Sequence, residues 1–231
     1  MSQLLSIIVP VFNESATIAA VLERLLAIDL PVAREILVVN DGSSDGTAAA
    51  IDAAACRSPL IDVVHLARNG GKGVALRTGL ARARGDIVAI QDADLELDPA
   101  QLATLVGPIL RGEADAVYGS RFSRGAAHVP VATRLGNAAL TALTNALYGC
   151  ALTDMETCYK VMRGDLARAL PLTADRFDIE PEITVRLLKG GARIVEMPVV
   201  FAPRSRAAGK KIRWRDGVHA VGMLVRHRLY R

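Results

Sequence analysis

Between Leu4 and Gly119, short apolar runs alternate five times with stretches of helical periodicity, and that alternation leaves few folds open. Leu4 to Val11 is strand-like and gives way to Asn13 and Glu14. Ile18, Val21, Leu22, Leu25 and Leu26 then recur at helical spacing. Glu35 to Val39 is a second strand, closed by the cap-rich turn Asn40-Asp41-Gly42-Ser43-Ser44-Asp45-Gly46-Thr47 and followed by an alanine-rich helix to Ala55. Ile61 to Leu66, Asp86 to Gln91 and Ala116 to Gly119 complete the strands. Between them run a helix carrying Val74, Leu76 and Leu80 and another opened by Asp98-Pro99 and reaching about Leu110. Short links between such elements predict right-handed βαβ units, hence an α/β fold with an open, mostly parallel, doubly wound sheet and flanking helices. Ligands of such sheets bind outside the carboxyl ends of the strands, so the loops at Glu14, Asp41, Lys72 and Asp92 are expected along one edge.

Beyond Arg121 the alternation stops. His128 to Val131 reads as a loop, Thr133 to Tyr148 as a helix, Thr157 to Arg163 as a strand and Glu180 to Lys189 as a helix. Arg193 to Phe201 reads as an edge strand, because it contains Pro198. Residues 1–203 form one predicted domain. Residues 204–231 form a basic amphipathic tail within the same unit: nine Lys or Arg against Asp216, a charge of +8 on a body of −4. Such asymmetry points to an anionic partner at that end, phosphate groups or a membrane surface, and nucleic acid is the competing reading. An RNA binder interleaves aromatics with its cations, and only Trp214 and Tyr230 qualify here, so no nucleic acid is expected. Trp214 among Lys210, Lys211, Arg213 and Arg215 suits a membrane interface. The alternative is a solvated basic face, with Val218, Val221, Val225 and Leu229 packed on the domain.

Cys56, Cys150 and Cys158 form no C-x-x-C pair, which indicates neither a disulfide framework nor zinc and suits a reducing cytosol. His65, His128, His219 and His227 show no ligand spacing. No secretory signal is expected. The uncharged run Leu135 to Thr153 carries Asn137, Thr141, Thr144 and Asn145, which argues against a lipid-spanning helix and allows one packed on the domain or lying at an interface.

The fourth strand runs out into Asp92-Ala93-Asp94-Leu95-Glu96. Extended backbone would project the three acids to one side, where they either hold a divalent cation or form a solvated acidic loop. Gly70-Gly71-Lys72-Gly73 enters a helix and is either a phosphate cradle of backbone N–H groups or a plain glycine turn.

Taken together, Val9-Pro10-Val11-Phe12-Asn13-Glu14, Asp41-Gly42-Ser43-Ser44-Asp45-Gly46-Thr47, Asp92-Ala93-Asp94 and Gly119-Ser120-Arg121 resemble the family 2 glycosyltransferases with the GT-A fold. The resemblance covers essentially the whole chain. Leu152-Thr153-Asp154-Met155-Glu156-Thr157-Cys158-Tyr159-Lys160 and Gly209-Lys210-Lys211 look like the polyprenyl-phosphate hexose synthases related to dolichyl-phosphate mannose synthase. The resemblance implies a metal-dependent, inverting hexosyltransferase moving sugar from a UDP- or GDP-sugar to a polyprenyl phosphate. It also implies a C-terminal extension on the acceptor side, and a cytoplasmic or peripheral place on a membrane's cytoplasmic face, held there by the membrane surface or a membrane-anchored partner. It implies that Pro10, Phe12 and Glu14 border the nucleotide and that Asp41 bonds the base, with Lys72 and Ala93 beside the donor. Asp92 and Asp94, with Glu96 as a third ligand, would hold Mg²⁺ or Mn²⁺. Arg121 and Arg134 would hold the acceptor phosphate. Glu96 departs from the mannose synthase pattern, where Gln is usual. Two other readings stand: transfer to a soluble hydroxyl acceptor with Asp154 or Glu156 as base, and a nucleotide-sugar or nucleic-acid binding module without turnover.

Overall fold

The computed structural model describes residues 3–123, 129–204 and 214–229, the side chains of Trp214 and Arg215 excepted. His128, Gly209, Lys210, Lys211, Arg213, Tyr230 and the side chains of Trp214 and Arg215, all part of the expectations above, lie outside the described residues. Strands β1 (Leu4–Val11), β2 (Ala33–Asn40), β3 (Ile61–His65) and β4 (Ile87–Ile90) alternate with helices α1 (Ile18–Ala27), α2 (Thr47–Ala55) and α3 (Lys72–Arg82). All four strands fall within a residue or two of the sequence reading. Beyond β4 lie α4 (Leu102–Leu105), α5 (Gly107–Leu110), β5 (Ala116–Ser120), α6 (Val131–Tyr148) and β6 (Lys160–Arg163). The chain then runs through α7 (Gly164–Ala169), α8 (Ile179–Lys189), β7 (Ile194–Pro198) and α9 (Trp214–Leu229).

The seven strands form one sheet in the order β3-β2-β1-β4-β6-β5-β7. All pairs are parallel except those of β6, which runs antiparallel between β4 and β5. The order reverses between β1 and β4, the switch point outside which sheets of this kind bind their ligands. Register aligns Val11 with Asn40 and Ile8 with Ile90, so the carboxyl ends of β1, β2 and β4 share an edge. Tyr118 faces Lys160 across β5 and β6, which brings Arg121 and the loop before β6 to the same edge.

One apolar cluster under α1, α2 and the 99–110 turns, and another under α3, α7 and α8, cover the two sheet faces. Every residue of β4 is buried, as its continuous apolar run requires between two helical layers.

Three expectations are corrected. The helix expected from Pro99 to Leu110 is a 3₁₀ turn (Pro99–Gln101) and two short helices, because Gly107-Pro108 interrupts it: proline lacks the donor a continuous helix needs. The strand expected from Thr157 is only Lys160–Arg163, because Thr157 turns its hydroxyl into the Gly119 carbonyl at 2.7 Å. Pro198 does sit on an edge strand, but it ends β7 rather than lying inside it.

Two predictions arise from the loops. A Cβ on Gly73 would overlap the Ala174 carbonyl oxygen, and the Gly73 N–H already donates to Asp175 O at 2.8 Å. Gly73→Ala is expected to cost about 1–3 kcal/mol by overpacking, measured by urea unfolding. Asp45 accepts from Thr47 N at 2.9 Å, from the Thr47 hydroxyl and from Ser15 N at 3.3 Å, so it ties the start of α2 to the β1–α1 loop. Burial raises its pKa, but these hydrogen bonds outweigh burial and hold it at about 2. A lowered folded-state pKa contributes stability above the ordinary value of 3.8, lost as pH falls toward about 2. Asp45→Asn should therefore be less stable than the native chain above pH ~4, with the gap closing toward pH ~2; a gap that does not change with pH would contradict this.

Candidate active site

Strand β4 ends at Ile90, and Gln91, fully buried, closes the next turn: its side-chain amide donates to the carbonyls of Asp92 and Leu97, and it accepts from the Tyr159 hydroxyl at 2.6 Å. The backbone turns at once, and Leu95 lies at φ 60°. The acids therefore sit on a tight turn, not on extended backbone, and their common side is not set by strand alternation. Asp92 pairs with Lys72 Nζ at 2.7 Å. Asp94 pairs with Arg204 Nη2 at 2.9 Å and accepts from Glu96 N at 3.1 Å. Glu96 accepts from the Arg204 backbone N–H at 2.7 Å. Ala93 is buried, and its carbonyl takes the Thr17 hydroxyl at 2.7 Å, which ties this turn to the loop after β1.

That loop brings Glu14 to the same point. Arg204 spans Glu14 and Asp94, with Nη1 2.9 Å and Nη2 3.1 Å from the Glu14 carboxylate. Pro10 and Phe12, half-buried, lie where β1 leaves the sheet. Burial, with the charges of Asp92 and Glu96, pushes the Asp94 carboxyl up to about 6 against the pull of Arg204. Among the described residues, no group of three His, Cys, Asp or Glu side chains is preassembled as a metal cage. The donor set nonetheless fits a divalent ion, since it is all hard carboxylate oxygen and, beyond burial, the mutual repulsion of Asp92, Asp94 and Glu96 raises the Asp94 carboxyl even with Arg204 beside it. Asp92, Asp94 and Glu96 would hold such an ion, with Arg204 as its competitor for Asp94.

The glycine loop is already engaged. Gly70 and Gly71 N–H groups donate to the Asp41 carboxylate at 2.7 and 2.8 Å, and Asn69 Nδ2 adds a third bond at 2.8 Å. Gly73 and Val74 donate to Asp175 O. The phosphate-cradle expectation is corrected accordingly: these donors serve the chain's own acceptors. Gly71, at φ 103°, takes a conformation open to glycine alone, and that lets its N–H turn back to Asp41. Asp41 itself is buried, and burial raises its pKa despite the two amide bonds.

Lys72 leads from this loop into the site, where it bridges Asp92 and Glu180 Oε1 at 2.9 Å. Burial opposes its charge, but Asp92 and Glu180 outweigh it and hold the pKa well above the usual lysine value. Glu180 also meets Lys160 Nζ at 2.6 Å, so Asp92-Lys72-Glu180-Lys160 is a continuous alternating chain of charge.

On the β5 side, Arg121 and Asp154 form a bidentate pair, Nε to Oδ2 at 2.7 Å and Nη2 to Oδ1 at 2.8 Å, with Asp154 fully buried. The Arg121 backbone N–H adds a third bond to Asp154 at 3.0 Å. Its guanidinium lies between the Phe122 and Phe201 rings, 5.4 and 5.3 Å from their centroids. Glu156 lies nearby, and its buried Oε1 has no hydrogen-bond partner among the described residues. Burial pushes its carboxyl up to about 7, with Lys160 opposing. Arg134 stands apart, exposed on the first turn of α6.

The structure thus brings Glu14, Lys72, Asp92, Ala93, Asp94 and Glu96 together and places Arg121 at the same edge, with Asp41 joined to them through the glycine loop before Lys72. Sequence reasoning missed Arg204, Glu180 and Lys160. Arg204 was read only as part of a basic tail. The acid pair Glu180 and Glu182, flanking Pro181 in an apolar helix, was the one signal available for Glu180.

An α/β sheet with acids, a lysine and an arginine gathered at its switch point has its charged groups where sheets of this kind bind their ligands. Residues 6–169 match the family model for glycosyl transferase family 2. The chain is 32% identical to an undecaprenyl-phosphate mannosyltransferase of Micrococcus luteus, over 88% of this chain and 85% of that protein. It is 28% identical to a dodecaprenyl-phosphate galacturonate synthase of Rhizobium johnstonii, over 89% of this chain but only 61% of that longer protein. Among solved structures, a glucosyl-3-phosphoglycerate synthase of Mycobacterium tuberculosis, in complex with Mg²⁺ and UDP, superposes with a TM-score of 0.76. That match covers 97% of this chain and 79% of that one at 23% identity, a likeness of fold. The chain belongs to glycosyl transferase family 2 and has the GT-A fold; it is a glycosyltransferase.

Proposed function

We propose that the protein transfers a hexose from a UDP- or GDP-sugar to a polyprenyl phosphate, with inversion, at the cytoplasmic face of a membrane. The observation that carries this reading is that the two relatives above, each matched over nearly nine-tenths of this chain, are named for polyprenyl-phosphate products or acceptors. In a single displacement, an acceptor phosphate oxygen forms a bond to the anomeric carbon while the bond from that carbon to the nucleoside diphosphate oxygen breaks. The leaving group keeps the electron pair. A phosphate acceptor is ionised at neutral pH and needs no general base, which agrees with Asp154 being committed to Arg121. Arg121, held rigid by that pair and by two rings, orients the attacking phosphate through the donors that Asp154 does not take. Arg134 adds cationic charge on the acceptor side. Lys72, fixed by Asp92 and Glu180, faces the diphosphate. Pro10, Phe12, Glu14 and Asp41 line the nucleotide side, with Ala93 beside them. A divalent ion on Asp92, Asp94 and Glu96, Mg²⁺ or Mn²⁺, supplies Lewis-acid stabilisation of the departing diphosphate when bound.

One observation favours a second reading, transfer to a hydroxyl acceptor: Glu156 has an unpartnered oxygen and a carboxyl near pH 7, as a general base requires. Glu156→Gln separates the two. Transfer to a short prenyl phosphate within about tenfold of the native rate fits the phosphate acceptor, whereas a loss of about 10²-fold or more, with donor binding intact, fits a base.

A further inference from the structure

Helix α6 fully buries only polar side chains, while Leu140, Leu143 and Leu147 pack beside them against the core and stay partly exposed. Its buried side chains are Asn137, Thr141 and Thr144, one stripe of three polar groups. The Thr141 hydroxyl accepts from Met155 N at 3.2 Å and that of Thr144 donates to Leu140 O at 2.9 Å. Its outward stripe is apolar: Leu135 is 63% exposed, and Ala138, Ala139, Ala142 and Ala146 are exposed with it.

Helix α9 packs against α6 and α8 and adds a second face of the same kind. Ala220 and Leu224 are buried at its inner side, the Tyr148 hydroxyl donates to Leu224 O, and Lys189 Nζ donates to His227 O, both at 2.7 Å. This docking leaves Val218, Val221, Val225 and Leu229 outward, 58%, 40%, 39% and 72% exposed, which counts against the alternative in which they pack on the domain. Their spacing of three, four and four places them on one stripe, and the exposed Arg226 and Arg228 flank it on opposite sides. Six of the nine exposed large hydrophobic residues of the described protein lie on these two helices, so the apolar exposure is concentrated, not scattered.

We infer that the outer faces of α6 and α9 form a docking surface that seats on an anionic lipid bilayer. No helix among the described residues is long and apolar enough to cross a membrane, so the helices lie on it. Charge selects lipid over a second copy of the chain. Helix α6 carries Arg134 and no acid, and α9 carries Asp216 as its only acid. Two such faces pressed together would set arginines against arginines, whereas anionic headgroups complement them. The purpose of the surface rests on the lipid-linked acceptor proposed above, since it would bring the enzyme to that acceptor; its geometry does not.

Co-sedimentation of the full chain with vesicles free of polyprenyl phosphate tests it. Binding to phosphatidylglycerol/phosphatidylethanolamine vesicles is expected, weakened at least about tenfold on phosphatidylcholine vesicles or at high salt. Val221→Asp with Val225→Asp should lower anionic-vesicle binding by about tenfold or more, and Arg226→Glu with Arg228→Glu, which alters only exposed charges, should act likewise. A native chain that stays in the supernatant, variants that bind like it, or a native dimer that the valine changes dissociate would each overturn the inference. Vesicle binding without transfer to any prenyl phosphate would support the surface and count against the acceptor instead.

Discussion

Glu180→Ala is expected to lose about 3–5 kcal/mol of unfolding free energy, the cost of stranding a buried charge. The stranded charge is Lys160, 0% exposed, whose ammonium meets Glu180 at 2.6 Å and also donates to the carbonyls of Met155 and Thr157 and lies over the Tyr118 ring, with the Glu156 carboxyl near it pushed up to about 7 by burial. Burial raises the Glu180 pKa, but Lys160 and Lys72 outweigh it and hold the carboxylate below its usual range. With the acid gone, Lys160 must sit unpaired in the interior or give up its proton, and either outcome costs stability. Glu180→Gln keeps the shape and removes the charge, so it should recover only part of the loss. Urea midpoints measure both, and an alanine variant within about 1 kcal/mol of the native chain would show that water reaches Lys160. Lys72 retains Asp92 in these variants, so donor binding should fall less than stability.

The second large effect is on rate. Asp92→Asn and Asp94→Asn are each expected to lower kcat by about 10²-fold or more, because in the proposed mechanism both carboxylates would hold the divalent ion that stabilises the leaving diphosphate. Stability should move little by comparison. Lys72 keeps Glu180 when Asp92 is neutralised, and Arg204 keeps Glu14 when Asp94 is neutralised. Steady-state rates across a Mn²⁺ titration, with urea unfolding as control, check this. A variant within about threefold of the native rate would remove that carboxylate from the mechanism.

The contrast between these two effects follows what was legible in the chain. Asp92 and Asp94 were readable because a strand of apolar residues and a turn of acids are both local patterns, and the alternation of elements fixes which loops share an edge. Glu180 and Lys160 were not, because their meaning is their pairing: a lone lysine after Thr157-Cys158-Tyr159 reads as a strand residue until α8 places an acid against it. Arg204 lies 110 residues from Asp94, and only the fold brings it to the acids. The antiparallel insertion of β6 escaped for the same reason, since four residues of strand carry no mark of direction. In α6 the polar positions were visible, and Asn137, Thr141 and Thr144 do pack inward. What spacing could not reveal was that Val131, Leu135 and a stripe of alanines face outward while Leu140, Leu143 and Leu147 pack beside the polar positions. The glycine loop misled because backbone donors at a helix start look free until Asp41 is folded against them.

Incubation of the protein with radiolabelled UDP- and GDP-hexoses, Mg²⁺ or Mn²⁺, and a short-chain polyprenyl phosphate tests the functional reading most directly. One nucleotide sugar should pass its label into the organic phase as an acid-labile prenyl phosphosugar, and Asp94→Asn should abolish that product. Label that moves only onto water-soluble hydroxyl acceptors, with none in lipid for any donor, would contradict the phosphate acceptor and leave Glu156 as the base of a different reaction.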